Sequence, residues 1–312
     1  MTNLIAVRGQ QDQRTQERIV AAAGNAEVRF VKDAVELAGL LPSVAAVGGD
    51  LSESELALAP QLEWVHSWAA GPQVFPALIE HPAAMTSSKG NGAIPLAEQA
   101  LLLMIMLNRN ALRWLTAQGE HRWDRFTHGE LAGHTAVLVG LGNSGIHLAG
   151  ALTALGMRVI GVRRNTTLPS PGVDRVEGPD RLLDLLPEAD FVVVTAPYTT
   201  ETAGMLGEEH FRAMKPSSYY ICVSRGGIAD DVALEKALRE GWIAGAGLDA
   251  HSIEPLPAES PFWDLPNTIV TPHNGATTAE TAARGVDIFV ENLTRFVRGD
   301  ALTNLVDKNA GY

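Results

Sequence analysis

The chain lacks paired cysteines, long apolar runs and a surplus of positive charge, and each absence excludes something. A single cysteine in 312 residues, Cys222, leaves no internal disulfide and fits a reducing compartment. It lies within the apolar run 219–223, so a buried core thiol is expected there rather than a nucleophile. The 24 Lys and Arg against 36 Asp and Glu give a formal net charge of -12, which argues against nucleic acid or an anionic membrane as partner. An anionic substrate must then be drawn in by local cations. No stretch reaches the roughly 18 apolar residues of a membrane span; the run 101–107 is far too short. The first 25 residues are polar and mixed in charge, without the apolar core of a signal peptide. A cytoplasmic, soluble protein is expected.

What is present is an ordinary globular composition, 46% hydrophobic and 19% charged, and a length that suggests two domains. From residue 136 to 271 short apolar runs alternate with helical patterns. Residues 136–139, 158–162, 191–195, 219–223, 246–248 and 268–270 read as strands. Between them residues 146–155, 208–214 and 231–240 read as helices, the last with Asp230 as N-cap and Gly241 beyond its end. Continuously apolar strands separated by helices imply a parallel sheet covered on both faces, a doubly wound α/β domain of the Rossmann type. The first 95 residues show a shorter alternation, with strands at 4–7, 28–31, 44–48, 62–66 and 84–86 and a helix at 14–23. That pattern suggests a smaller, flavodoxin-like sheet. A helix over 95–107 is expected to link the two. Thr277 and Glu280 form a capping box opening a helix through about residue 297, and a strand-like tail at 302–306 is expected to return to the first domain. The expected division is therefore 1–95 completed by 284–312, and 96–283. The expected active site is the cleft at the C-terminal ends of the parallel strands.

Four motifs carry chemistry. Gly140, Gly142 and Gly145 form G-x-G-x-x-G between a strand and a helix, the context in which glycines let backbone approach a pyrophosphate. Asn143, Ser144 and Ile146 belong to the same turn, and the helix N-terminus offers N–H groups to the anion. At the end of the second strand, where an acid would accept a ribose 2′-hydroxyl, stand Arg163 and Arg164. Two guanidiniums there suit a 2′-phosphate, so NADP(H) is expected as the preferred cofactor, with NAD(H) possible. The remaining motifs are Ser224-Arg225-Gly226-Gly227, Glu254-Pro255 and Thr271-Pro272-His273. Reduction of a keto carbon leaves charge on oxygen, which needs a proton and an electrostatic partner. His273 suits the proton, Glu254 can orient its ring, and Arg225 can grip a carboxylate in a fork. No metal site is expected.

In combination, Ser224–Asp230, Gly247-Leu248-Asp249 with Glu254-Pro255-Leu256-Pro257, and Thr271–Gly275 resemble the D-isomer-specific 2-hydroxyacid dehydrogenase family, from about Ser67 onward. The resemblance implies Arg225 as substrate-binding arginine, Glu254 as partner of the histidine and His273 as proton donor and substrate contact. It also implies Asp249 at the nicotinamide carboxamide, and Pro197, Thr202, Val223 and Gly275 along the cofactor. A first-domain loop of the family binds the substrate carboxylate through backbone amides. Here that loop aligns with residues 68–71, and Pro72 has no N–H to give, which leaves Ala70 and Gly71 as donors. The expected activity is reduction of a small 2-oxo acid of the glyoxylate or hydroxypyruvate type to the 2-hydroxy acid. Two alternatives stand beside it: a dehydrogenase of a phosphorylated or larger hydroxyacid, and a nucleotide-sensing, corepressor-like protein on the same fold. His134, His210 and His251 are expected to be surface or core histidines. Trp64, Trp68, Trp114 and Trp123 are expected in cores or interfaces, with Trp123 as an anchor of a homodimer.

Overall fold

A computed structural model describes residues 3–311. Residues 1 and 2 of the polar N-terminal stretch and residue 312 of the C-terminal segment lie outside the described residues. The elements run β1 (Leu4–Arg8), α1 (Gln13–Ala23), β2 (Glu27–Val31), α2 (Ala34–Leu40), β3 (Val44–Gly48), α3 (Glu53–Leu56), β4 (Trp64–Ser67), α4 (Pro76–Glu80) and β5 (Ala84–Ser87). They continue as α5 (Ala93–Asn108), α6 (Ala111–Gly119), β6 (Thr135–Val139), α7 (Asn143–Ala154), β7 (Arg158–Val162), β8 (Arg175–Glu177), α8 (Leu182–Leu185) and β9 (Phe191–Val194). Last come α9 (Glu208–Ala213), β10 (Tyr219–Cys222), α10 (Asp231–Arg239), β11 (Gly245–Leu248), β12 (Thr268–Val270) and α11 (Ala279–Arg298). The chain divides into two compact units, Met1–Asn91 with Thr278–Tyr312, and Gly92–Thr277. Both divisions fall a few residues earlier than the expected 95/96 and 283/284.

The first unit holds a five-stranded parallel sheet in the order β2-β1-β3-β4-β5, the flavodoxin-like order. Side chains alternate across it as the pleat requires. Ala6, Val47, Val65 and Met85 join one core, while Ile5, Val7, Ala46 and Trp64 join the other with Phe289 and Leu293 of α11. Burying a ring such as Phe289 completely contributes about 1.5–3 kcal/mol.

The second unit holds seven parallel strands in the order β12-β11-β10-β9-β6-β7-β8. The order reverses between β6 and β9, and a ligand crevice belongs at that switch point. Every residue of β6 is buried. Val137 and Val139 face the core under α9 and α10, and Ala136 and Leu138 face α5 and α7. A strand buried on both faces has to read as an unbroken apolar run.

Three local expectations are corrected. The N-cap of α11 is Thr278, which accepts from the Thr281 N–H, and not Thr277. Thr277 lies in the preceding turn, its N–H donated to the Asn274 carbonyl (2.9 Å), and the Thr278 hydroxyl is the one that reaches the Thr281 N–H at 3.0 Å. The tail 302–306 forms only one antiparallel bridge, Leu305 to Thr86, because Asn304 turns left-handed at φ +53° and breaks the extension. The three-residue edge strand β8 was not expected.

Candidate active site

The glycine loop leaves β6 at the switch point. Gly140 turns at φ +103°, and a Cβ there would stand 2.5 Å from the Ala196 nitrogen. A Cβ on Gly145 would stand 2.4 Å from the Gly140 carbonyl oxygen, which lets the helix pack tightly on the strand. At Gly142, the N-cap of α7, the place of a Cβ meets no protein atom within 4 Å. Asn143, Ser144 and Gly145 lead the helix, and the Ile146 N–H closes its first turn on the Gly142 carbonyl (3.0 Å). An open backbone cradle at a helix N-terminus, with its positive dipole end, fits a pyrophosphate.

Arg163 and Arg164 follow β7. Arg163 reaches the Ser170 hydroxyl at 3.1 Å, and Arg164 pairs with Glu201 at 3.2 Å in an exposed ion pair. Beyond β9, the Thr202 hydroxyl donates to the Pro197 carbonyl at 2.8 Å, and Thr199 and Thr202 close a turn. Val223 is buried just past β10.

Arg225, Glu254 and His273 stand on three loops at the C-terminal ends of β10, β11 and β12. His273 Nδ1 lies 2.9 and 2.8 Å from the two Glu254 carboxylate oxygens. Partial burial raises the Glu254 carboxyl, but the His251 N–H and the His273 ring outweigh it and hold it below its ordinary value. An ionised Glu254 accepts a proton held on Nδ1, and Nε2 is left to face a reactant. His273 sits in the left-handed region at φ +51°, a costly place for a residue with a Cβ. Asp249 supports that turn. Fully buried, it accepts from the Thr271 hydroxyl at 2.5 Å, the Asn274 N–H at 3.3 Å and the Gly275 N–H at 3.0 Å. The Arg225 guanidinium is exposed and donates to the Ser224 carbonyl at 2.7 Å.

Ala70 and Gly71 belong to the other unit, in the exposed loop after β4. Ser67 Oγ accepts the Ala69 N–H at 3.2 Å, and Ser87 donates to the Ala70 carbonyl at 3.4 Å, so the loop is anchored at both sides. Cys222 is buried as expected; burial pushes its thiol up, and Sγ–H donates to the Arg225 carbonyl. A hollow of about 550 Å³ lies away from this chemistry, at the N-terminal ends of β9 and β10, lined by Asn108, Phe126, His128, Phe191 and Tyr219 among others.

Residues 101–275, more than half of the chain, match the model of the D-isomer specific 2-hydroxyacid dehydrogenase NAD binding domain. The chain belongs to the D-isomer specific 2-hydroxyacid dehydrogenase family. It is similar to a glyoxylate reductase of Korarchaeum cryptofilum, 40% identical over 57% of this chain and 54% of that protein. It is also similar to a D-3-phosphoglycerate dehydrogenase of Mycobacterium leprae, 30% identical over 96% of this chain and 58% of that protein. The matches thus span little more than half the length of these curated relatives. Among solved structures, an NADPH-dependent glyoxylate/hydroxypyruvate reductase from Sinorhizobium meliloti, in complex with NADP and sulfate, is 26% identical. It superposes with a TM-score of 0.85, covering 100% of both chains.

The structure also brings in family-site neighbours that the sequence did not single out. Gln99 of α5 donates to the Thr271 hydroxyl at 3.0 Å and to Asp249 at 3.4 Å. His251, expected to be a surface or core histidine, sits in the same loop as Glu254 and bonds the Thr271 carbonyl at 2.9 Å. Its only sequence signal was its place between Asp249 and Glu254. Gln99 gave none, since it arrives from 150 residues away.

Proposed function

We propose that this chain reduces small 2-oxo acids of the glyoxylate or hydroxypyruvate type to 2-hydroxy acids with NADPH. The observation that carries this reading is the His273–Glu254 pair at 2.8 Å, at the same sheet edge as Arg225 and the glycine cradle. When bound, the nicotinamide supplies the hydride to the carbonyl carbon. His273 delivers its Nε2 proton to the developing alkoxide, since Nδ1 faces Glu254. Glu254 offsets the imidazolium charge, and Arg225 grips the substrate carboxylate. The Ala70 and Gly71 amides are the first unit's candidate carboxylate donors. Thr202, Val223, Asp249, Gly275 and Pro197 are assigned to the cofactor. The first unit is assigned to substrate, the second to the dinucleotide. Cytoplasmic location accords with the buried lone cysteine, and among the described residues no helix is long and apolar enough to cross a membrane. We assign a homodimer as the working assembly.

The test is oxidation of NADPH and NADH with a panel of glyoxylate, hydroxypyruvate, pyruvate and a phosphorylated 2-oxo acid. Turnover confined to the phosphorylated compound would favour the second reading, which the similarity to a D-3-phosphoglycerate dehydrogenase supports. Cofactor binding without turnover would favour the sensor.

NADPH is expected to exceed NADH by roughly 10- to 150-fold in kcat/KM, the equivalent of about 1.5–3 kcal/mol from contacts to a half-solvated phosphate. The relative in complex with NADP supports this reading. Arg163→Ala with Arg164→Ala is expected to weaken NADPH and leave NADH nearly unchanged. Equal efficiency with both cofactors in the parent protein would refute the assignment of the two arginines.

A further inference from the structure

His251 touches the support of all three proposed catalytic side chains. Its backbone N–H donates to Glu254 Oε1 at 2.9 Å, the same oxygen that lies 2.9 Å from His273 Nδ1. Its ring Nε2 lies 2.9 Å from the carbonyl oxygen of Thr271, two residues before His273. A carbonyl only accepts, so this nitrogen carries the proton and donates. On the third side, a Cβ added to Gly226 would stand 1.9 Å from the His251 carbonyl carbon and 2.1 Å from the Ser252 nitrogen. The residue after Arg225 therefore lies flat against the His251–Ser252 peptide. Of these contacts, the ring bond to Thr271 is the one that ties the Glu254 loop to the strand carrying His273 and that depends on a histidine side chain.

We propose that His251 is a positioning residue, whose imidazole clamps the Glu254 loop to the Thr271–His273 segment and so holds Glu254 in register with His273. The proposal rests on the assignment of His273 as proton donor. A ring that merely filled space would be replaced without loss by another ring. A clamp needs a donor at the Nε2 position. His251→Phe keeps the ring and removes the donor, whereas His251→Gln returns an N–H of similar reach.

The experiment compares the parent with both variants in NADPH-dependent reduction and by proton NMR of the downfield ring N–H shared by His273 and Glu254. That resonance is identified by its loss in His273→Gln. In His251→Phe, kcat is expected to fall about 3- to 10-fold, the worth of one net hydrogen bond, with the KM for NADPH unchanged. The downfield resonance should broaden through faster exchange with water. His251→Gln should restore both. Parental kcat and an unaltered resonance in His251→Phe would overturn the proposal, as would equal loss in the two variants. If the parent reduces no 2-oxo acid, the functional reading fails, while the resonance alone still judges the clamp.

Discussion

At the scale of single residues, the proposed chemistry depends on a histidine held in an unfavourable backbone conformation. The left-handed turn at His273 is stabilised from below by Asp249, which takes the N–H groups of the next two residues. The ring is stabilised from the side by Glu254. Replacing His273 with Ala removes the proton donor and is expected to lower turnover by roughly 10²–10⁴-fold while cofactor binding persists. Steady-state rates within a few-fold of the parent would refute the assignment. The pairing of Glu254 with His273 was legible in the sequence because both residues, like Arg225, stand on loops that follow apolar strands, beside glycine or proline. The supports were not legible. Gln99 and His251 acquire their ring and amide partners only when distant strands align, and no local pattern marks Gln99.

At the scale of elements, boundaries followed wherever apolar periodicity and punctuation agreed. The strands 158–162, 44–48 and 268–270 were placed to the residue, and Asp230 caps α10 by accepting from Ala233. The errors occurred where a tertiary bond outcompeted a local signal. Thr277 closes the turn from Asn274, and the cap of α11 falls to Thr278, whose hydroxyl accepts the Thr281 N–H. At β8 three partly exposed residues at a sheet edge gave too little pattern to read. Gly226 illustrates the same dependence on tertiary approach, since its need for a bare Cα comes from the peptide of another loop. The clash at Gly226→Ala is with backbone, so no rotamer relieves it. That substitution is expected to destabilise the fold by about 1–3 kcal/mol and to lower turnover by displacing Arg225 and the His251 peptide. Denaturant unfolding with an unchanged midpoint would contradict this.

At the scale of the whole molecule, both sheets were legible because their central strands, such as β3 and β6, are buried on two faces and must be apolar throughout. One contribution to acid sensitivity was not, because it comes from a histidine buried by the fold. His66 is fully buried in β4, bonded to Thr86 and Ser88 and ringed by Trp64, Trp68 and Phe289. Burial lowers it from 6.5 to about 4. The unfolded chain therefore binds the extra proton first. Stability from keeping His66 neutral is complete above pH 6.5 and is lost as the pH falls toward 4, by roughly 3 kcal/mol. In His66→Gln the loss between pH 7 and 4.5 should be smaller than in the parent. Equal acid sensitivity in the two would sink the idea.

Self-association is the property of the whole chain that its surface argues for. Trp123 is 91% exposed, yet its loop is held. Asp124 bonds Arg113 at 2.6 Å and Arg122 at 2.8 Å, which keeps its carboxyl down at about 2, and the Arg113 guanidinium lies over the Phe126 ring. A held loop that presents an indole to water is a candidate anchor for a partner surface. Leu102 and Ile105 of α5 and Trp114 and Leu115 of α6 are exposed nearby in sequence. Exposed apolar side chains of this kind are what stable homodimers bury, with aromatic anchors at which binding energy concentrates. The parent is expected to scatter light as a dimer at micromolar concentration. Trp123→Ala should weaken association by about 2–4 kcal/mol, or roughly 30- to 900-fold in dissociation constant, and leave the fold of each unit intact. A parent that is monomeric at micromolar concentration would remove the reason for the exposed indole, and a Trp123→Ala variant that associates as tightly as the parent would move the interface elsewhere.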